Sequence, residues 1–308
     1  MFSRFVRLIA LSAATVALTL GFLVKPVWAQ SCCAGSSAIT PGRLTPHEDA
    51  LVGAQLRVQN AFGTFTANGD YVSAPKGTSE INFEEDVVGS LRVLRPVQIS
   101  LLVPFVQTYR RVAPESEFGG GIGDLNVSVR YDILLAGQRA SFPGIALLGG
   151  LSLPSGRAPE RASTPLATGA TGIGAFQGQL GIALEQTFSH WLLNAACIVA
   201  ARTSREVAGV DSTLGPQVST LLGAGYTFDN EAAIAMSLSY AFEMRSEING
   251  QVISGTARRS PQLGLFGLVP LGDHSRLSGG PFVHLPFLPG ANQTTYLGFS
   301  LTWVRTWS

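Results

Sequence analysis

The feature that most limits what this chain can fold into is a repeat of two. From about residue 50 to the end, apolar and polar residues alternate in about twelve segments separated by turn residues. In the stretch GIGDLNVSVRYDIL, Gly121 to Leu134, the positions Leu125, Val127, Val129, Tyr131 and Ile133 are apolar, whereas Asp124, Asn126, Ser128, Arg130 and Asp132 are polar. Side chains alternate across a strand, so one face is wholly apolar and the other wholly polar. Two architectures accept such strands. A soluble sandwich turns the apolar face to its core; a membrane barrel turns it to lipid and gives the polar face to a lumen.

The other segments repeat the pattern. Val52, Ala54, Leu56 and Val58 oppose Gln55, Arg57 and Gln59; Val87, Leu91 and Val93 oppose Asp86, Ser90 and Arg92; Ile234, Met236, Leu238, Tyr240 and Phe242 oppose Ser237, Ser239, Glu243 and Arg245. Segments around Leu263 to Val269 and Leu277 to Leu285 alternate less cleanly. The connections are sorted by length. Tight links at Arg95-Pro96, Ser189-His190, Asp229-Asn230 and Gly272-Asp273 alternate with long ones at about 67–77, 108–122, 155–173, 203–215 and 246–261, with a medium link near 136–142. Short turns on one rim and long loops on the other are the habit of outer-membrane barrels, and a sandwich has no reason to sort its loops so. An even strand count leaves both termini on the short-turn, periplasmic side. In this reading the glycines before Asp124 turn the chain at the outer rim. Glu85 has lipid-facing parity, which places it and Glu84 at that rim as well.

The amino terminus fits export. Arg4 and Arg7 precede a long apolar run, and Val27-Trp28-Ala29 supplies a cleavage site, the layout of a secretory signal peptide over residues 1–29. A periplasmic lead over 30–48 and a barrel over 49–308 complete the division. Charged residues make up 13% of the chain and no later apolar run reaches helical spanning length, which excludes a helical membrane protein. The 35 glycines, with alternating Val, Leu, Phe and Thr, favour an all-β chain. The expected fold is therefore a transmembrane, antiparallel, up-and-down β-barrel of about twelve strands in the bacterial outer membrane.

Chemistry is sparse. The glycine run misses the dinucleotide fingerprint, because the third glycine would fall on Asp124 or Asn126, and no phosphate-loop motif is present. Cys32, Cys33 and Cys197 lack metal-ligand spacing. The adjacent Cys32 and Cys33 are candidates for oxidation in an exported setting. A net charge of +1 offers no field for nucleic acid. His47, His190, His274 and His284 carry no nucleophile signature, so no catalytic, cofactor or metal residues are assigned. The candidate functional residues are the lumen-parity charges Arg57, Asp86, Arg92, Arg130, Asp132, Glu185, Arg202, Glu243 and Arg245. They can line an aqueous path or pair and plug a narrow barrel, and the similar numbers of both signs favour pairing over ion selectivity. Pro104 and Pro154 remove ladder donors in or near strands; they are candidates for strand ends or for a break that opens the wall sideways.

Gly123-Asp124-Leu125 leading a strand that ends Arg130-Tyr131, the following Leu153-Pro154-Ser155-Gly156 before a long loop, Thr168-Gly169, and Phe176 to Gly181 resemble one family. It is the family of outer-membrane barrels associated with the meta-pathway of phenol degradation. The resemblance implies a transporter-like exported barrel without established catalytic residues, and solutes that are small, hydrophobic or aromatic ones among them. The chain's end, TYLGFSLTWVRTWS, resembles the carboxy-terminal strand by which barrels reach their assembly machinery, although it closes on Ser308 rather than an aromatic. The expected partners are outer-membrane lipid, that machinery and a small solute, with the barrel a monomer. Three readings stay open: a passive channel, a structural barrel closed by its own charges, and, third, a lipid-modifying enzyme.

Overall fold

The computed structural model describes residues 42–138 and 142–308; the expected signal peptide and Cys32 and Cys33 lie outside the described residues. Long strands follow one another around a closed sheet: β1 (Ala50–Phe65), β2 (Thr78–Leu94), β3 (Val97–Val112), β4 (Leu125–Leu134), β5 (Gly144–Leu153), β6 (Gln177–Phe188), β7 (Trp191–Arg202), β8 (Gln217–Thr227), β9 (Ala233–Glu243), β10 (Arg258–Pro270), β11 (Ser275–His284) and β12 (Gln293–Trp307). Each pairs antiparallel with the next, and β12 returns to β1 in a ladder from Ala50↔Trp307 to Phe65↔Gln293. This is an up-and-down barrel of 12 strands with no open edge. Among the described residues, no helix is long and apolar enough to cross a membrane.

The barrel is polar inside and apolar outside. Val52, Leu56, Val87, Leu91, Ile99, Leu101, Val127, Val129, Leu147, Leu151, Leu180, Ile182, Val199, Leu222 and Leu265 are exposed, while Asp86, Ser90, Gln98, Ser152, Glu185, Asn194, Ser237, Glu243, Ser278, His284, Ser300 and Thr302 are buried. In water such an outer surface would aggregate; in a bilayer it is the face that hydrocarbon solvates. Both termini of the barrel and the short turns lie on one rim, here called lower and periplasmic by the usual loop asymmetry. Aromatic side chains gather there. Trp191 meets Tyr226 edge-on with ring centroids 5.1 Å apart, Tyr226 meets Phe228 at 5.1 Å, and Trp303 and Trp307 stand exposed at the end of β12.

Strand height explains Glu85. A residue in a strand tilted by about 40° climbs roughly 2.5 Å, so Glu85, nine positions before Leu94 in β2, stands about 23 Å above the lower rim and near the edge of the ~25 Å apolar band. The wall continues past that level. A strand Glu115–Ile122 pairs with the upper half of β3, and Tyr71–Ser73 with the top of β1. The run Gly119-Gly120-Gly121, expected to turn the chain, is therefore strand, and the interruption falls at Gly123-Asp124, between two strands that share β3 as neighbour. Glycine alternation hides a strand from sequence because it fills both faces with nothing. Above the rim, short strands Arg205–Val207, Val210–Thr213, Glu247–Ile248 and Gln251–Val252 join two long loops in a small separate sheet.

The strands that alternate poorly in sequence do so because they turn aromatic side chains inward, where they pack on neighbouring strands. In β10, Phe266 turns inward against Ala233, Ala235 and Leu268. In β11, Phe282 is buried, and its ring lies where a Cβ on Gly298 of β12 would stand, 2.4 Å from that position; glycine is needed there for the close approach.

Candidate functional site: the bore

Inward polar residues form an upper and a lower group. In the lower group, Arg130 of β4 contacts Asp132 at 2.8 Å and Glu185 of β6 at 3.2 Å, and Glu185 is nearly inaccessible to solvent. Buried charges of this kind persist only when paired. In the upper group, the Arg202 guanidinium of β7 lies 2.6 Å from Glu243 of β9 and also donates to Gln177 and to the carbonyl of Gly215. Arg57 of β1 lies 3.8 Å from Glu84 and 4.4 Å above the Phe282 ring, and reaches Gln262. His284 contacts Gln262 and the Thr294 carbonyl. Asp86 is buried between these groups, with one carboxylate oxygen lacking a hydrogen-bond partner among the described residues.

The parity-based candidates thus divide. Arg57, Asp86, Arg92, Arg130, Asp132, Glu185, Arg202 and Glu243 stand on the inward side of their strands. Arg245 does not: β9 ends at Glu243, and Arg245 is exposed in the loop above it, where strand parity no longer applies.

Sequence reasoning missed how the chain's own ends and loops enter the bore. Residues 42–48, the end of the lead expected below the barrel, run inside its lower end. The Gly42 carbonyl accepts from Ser90 (2.7 Å) and Gln98 (2.7 Å), and the Leu44 amide donates to Gln98 (3.0 Å). Arg43, buried, lies 2.5 Å from Glu185 on β6. Leu44 packs with Leu51, Val88 and Val304, an apolar patch on the inner face. The Arg92 guanidinium donates to the carbonyls of Thr45 and Glu48, and the Glu48 carboxylate meets Arg276 at 2.6 Å. The lead so touches β11, β12, β1, β2, β3 and β6. An available signal was that Leu51, Val88 and Val304 are apolar at inward parity and need a cover.

At the upper end, the loop 154–176 folds onto the inner side of the strand Glu115–Ile122. Glu117 accepts from the Leu166 amide (3.2 Å) and the Thr168 hydroxyl (2.8 Å), Arg110 donates to the Leu166 carbonyl, and Asp124 accepts from the amides of Gly156 (2.9 Å) and Ile173 (2.7 Å). Desolvation raises the Glu117 carboxyl, but the hydrogen bonds it accepts from Thr164, Thr168 and Leu166 outweigh that and hold it below the ordinary carboxylate range.

Pro104 and Pro154 flank this same place. The Pro104 carbonyl accepts from the Gly123 amide, and a side chain at Gly123 would come within 2.9 Å of the Pro104 ring. Pro154 directly follows the end of β5, and Ser155 beside it bonds to the Gly123 carbonyl and the Leu125 amide. Below this junction the outer wall carries an apolar groove of about 710 Å³, lined by Ile99, Val127, Val129, Leu151, Leu180 and Val199, with Gly149 and Gly178 in its floor.

An all-antiparallel closed barrel with an apolar exterior, a polar bore and loops of unequal length on its rims belongs to the class of outer-membrane β-barrels. Solved structures that share the fold include an outer membrane channel and a translocator domain. An outer membrane channel from Pseudomonas putida F1 aligns at a TM-score of 0.71 and 12% identity over 87% of this chain and 98% of its own. The translocator domain of the autotransporter NalP from Neisseria meningitidis aligns at 0.50 and 12% identity over 96% and 98%. No family model matches the sequence, and no curated protein does.

Proposed function

We propose that the protein is a monomeric outer-membrane channel giving small molecules a passive route through its bore. The observation that carries this reading is the inward polar face, which runs from Arg130 and Glu185 near the lower rim to Arg202 and Glu243 near the upper, inside a wall whose outer face is predominantly apolar. The bore's charges are largely paired with one another, which favours passage of uncharged or weakly charged solutes over selection of one ion sign. Membership of the family associated with the meta-pathway of phenol degradation, and with it a preference for aromatic or hydrophobic solutes, is part of the proposal and rests on Gly123-Asp124-Leu125 and Leu153-Pro154-Ser155-Gly156. Delivery by the barrel-assembly machinery through β12 belongs to the same reading, and so does a role without catalysis.

One observation favours a sideways exit for hydrophobic solutes. The ladder beside β3 changes partner at Pro104, where the missing amide faces Gly123, and the apolar groove lies on the lipid side beneath. Liposomes carrying the refolded protein test both routes. Swelling in small sugars and in phenolic solutes, with discrete conductance steps in planar bilayers, is expected of the channel; neither swelling nor conductance would sink it. Replacement of Pro104 and Pro154 by alanine should slow hydrophobic solutes and spare sugars. Unchanged uptake of both would end the sideways reading.

A further inference from the structure

The lower end of the bore is occupied by a segment that is docked there without being part of the wall. Residues 42–44 form no strand pairing, and the barrel closes through β1 and β12 independently of them. Each wall side chain that bonds to the segment also has a partner on the wall. Glu185 keeps Arg130 at 3.2 Å when Arg43 is withdrawn. Ser90 keeps Ser100 at 2.8 Å, and Gln98 keeps Ser100 at 2.9 Å. An empty socket therefore leaves Glu185, Ser90 and the Gln98 amide nitrogen with partners among the described residues, and the undocking penalty falls on one group, the Gln98 Oε1 that accepts from the Leu44 amide. Arg43, in turn, is restored to water on leaving. What the segment gives up includes the Arg43–Glu185 ion pair, the hydrogen bonds of Gly42 and Leu44 to Ser90 and Gln98, and the cover that Leu44 provides to Leu51, Val88 and Val304.

The point about which such a segment turns is also built. Thr45 and Glu48 close a turn on each other, the Thr45 amide donating to the Glu48 carboxylate at 2.7 Å and the Glu48 amide to the Thr45 carbonyl at 3.0 Å. Arg92 and Arg276 clamp that turn to β2 and β11, and the Asp49 amide bonds to the Trp307 carbonyl. The anchor at 45–49 is thus tied to the wall by groups separate from those that hold 42–44.

We infer that residues 42–44 are a reversible gate at the periplasmic end of the bore, with Arg43 as its latch on Glu185 and the Thr45–Glu48 turn as its hinge. The inference rests on the channel reading. A gate of this kind divides time between docked and undocked states, and weakening the latch shifts the balance toward open without altering the wall.

The test uses the full chain with Cys32, Cys33 and Cys197 replaced by serine, refolded and recorded in planar bilayers. A Cβ at Gly42 would lie 3.8 Å from the Ser90 hydroxyl, within disulfide reach, so Gly42→Cys with Ser90→Cys gives a lock that oxidation closes and reductant releases. The oxidised lock should suppress conductance and reduction restore it, while Arg43→Ala should raise the open fraction by roughly tenfold or more. Heat-modifiable migration verifies that each variant is a folded barrel. Folded barrels that conduct equally when locked, reduced or carrying Arg43→Ala would overturn the gate and leave the channel. Folded barrels of which none conducts would overturn both.

Discussion

The two ends of the bore are narrowed in different ways. At the lower end a stretch of the amino-terminal lead lies among wall groups that bond to one another as well as to it. At the upper end the loop 154–176 is held by groups with few other attachments: Asp124 spends its two oxygens on the Gly156 and Ile173 amides, and Glu117 serves Leu166 and Thr168. Redundant partners make a contact that can be left; dedicated partners make one that is expensive to leave. The lower contact is thereby suited to movement and the upper one to a fixed constriction.

Substitutions should separate the wall, which both ends share, from the two contacts. The largest effect belongs to the wall. Val129 stands five positions above Leu134, about 12 Å from the lower rim by the same climb per residue and thus close to the middle of the apolar band. Val129→Arg should cost about 2–4 kcal/mol and Ser128→Arg much less, read as the fraction of heat-modifiable barrel recovered on refolding into lipid. Next comes Glu185→Ala, which deprives both Arg43 and Arg130 of a buried carboxylate and should destabilise the folded barrel in urea by about 3 kcal/mol or more. Arg43→Ala should cost distinctly less, since Arg130 still neutralises Glu185; equal losses would contradict the redundancy of the lower socket.

At the upper end, Asp124→Ala leaves two loop amides without acceptors. It should loosen the loop by about 1–3 kcal/mol, seen as faster proteolysis within 154–176 while the barrel core stays resistant. The smallest effect is that of acid on Glu117. Its carboxyl is depressed in the folded state, so its contribution is complete above the ordinary carboxylate range and is lost as pH falls through the lower, folded value. Hydrogen exchange in the loop should therefore quicken only below about pH 4, and that step should vanish in Glu117→Gln.

Much of this was legible in the sequence, and the exceptions share a cause. Period-two alternation reveals a strand only where its two faces meet different solvents, as from Leu125 to Ile133. Where β10 and β11 send Phe266 and Phe282 into the bore, or where Gly119-Gly120-Gly121 offers no side chain to sort, the pattern fades although the strand persists. The bore's charges were visible by parity up to Glu243, and failed at Arg245 because the strand had ended. The lead was not legible, because Gly42 to Glu48 has no period of its own. Its place is set by Leu51 nearby and by Val88, Val304 and the Glu185 carboxylate far away in sequence.

The central claim is an inside-out strand order, apolar toward lipid and polar toward an aqueous bore. A single-cysteine scan from Asn126 to Ile133 in a chain otherwise free of cysteine tests it directly, by coupling a fluorophore at each position and quenching from brominated lipid or from an aqueous quencher. A strict alternation is expected, with Val127, Val129, Tyr131 and Ile133 quenched by lipid and Asn126, Ser128, Arg130 and Asp132 by the aqueous agent. The opposite phase, or equal quenching along the strand, would contradict it.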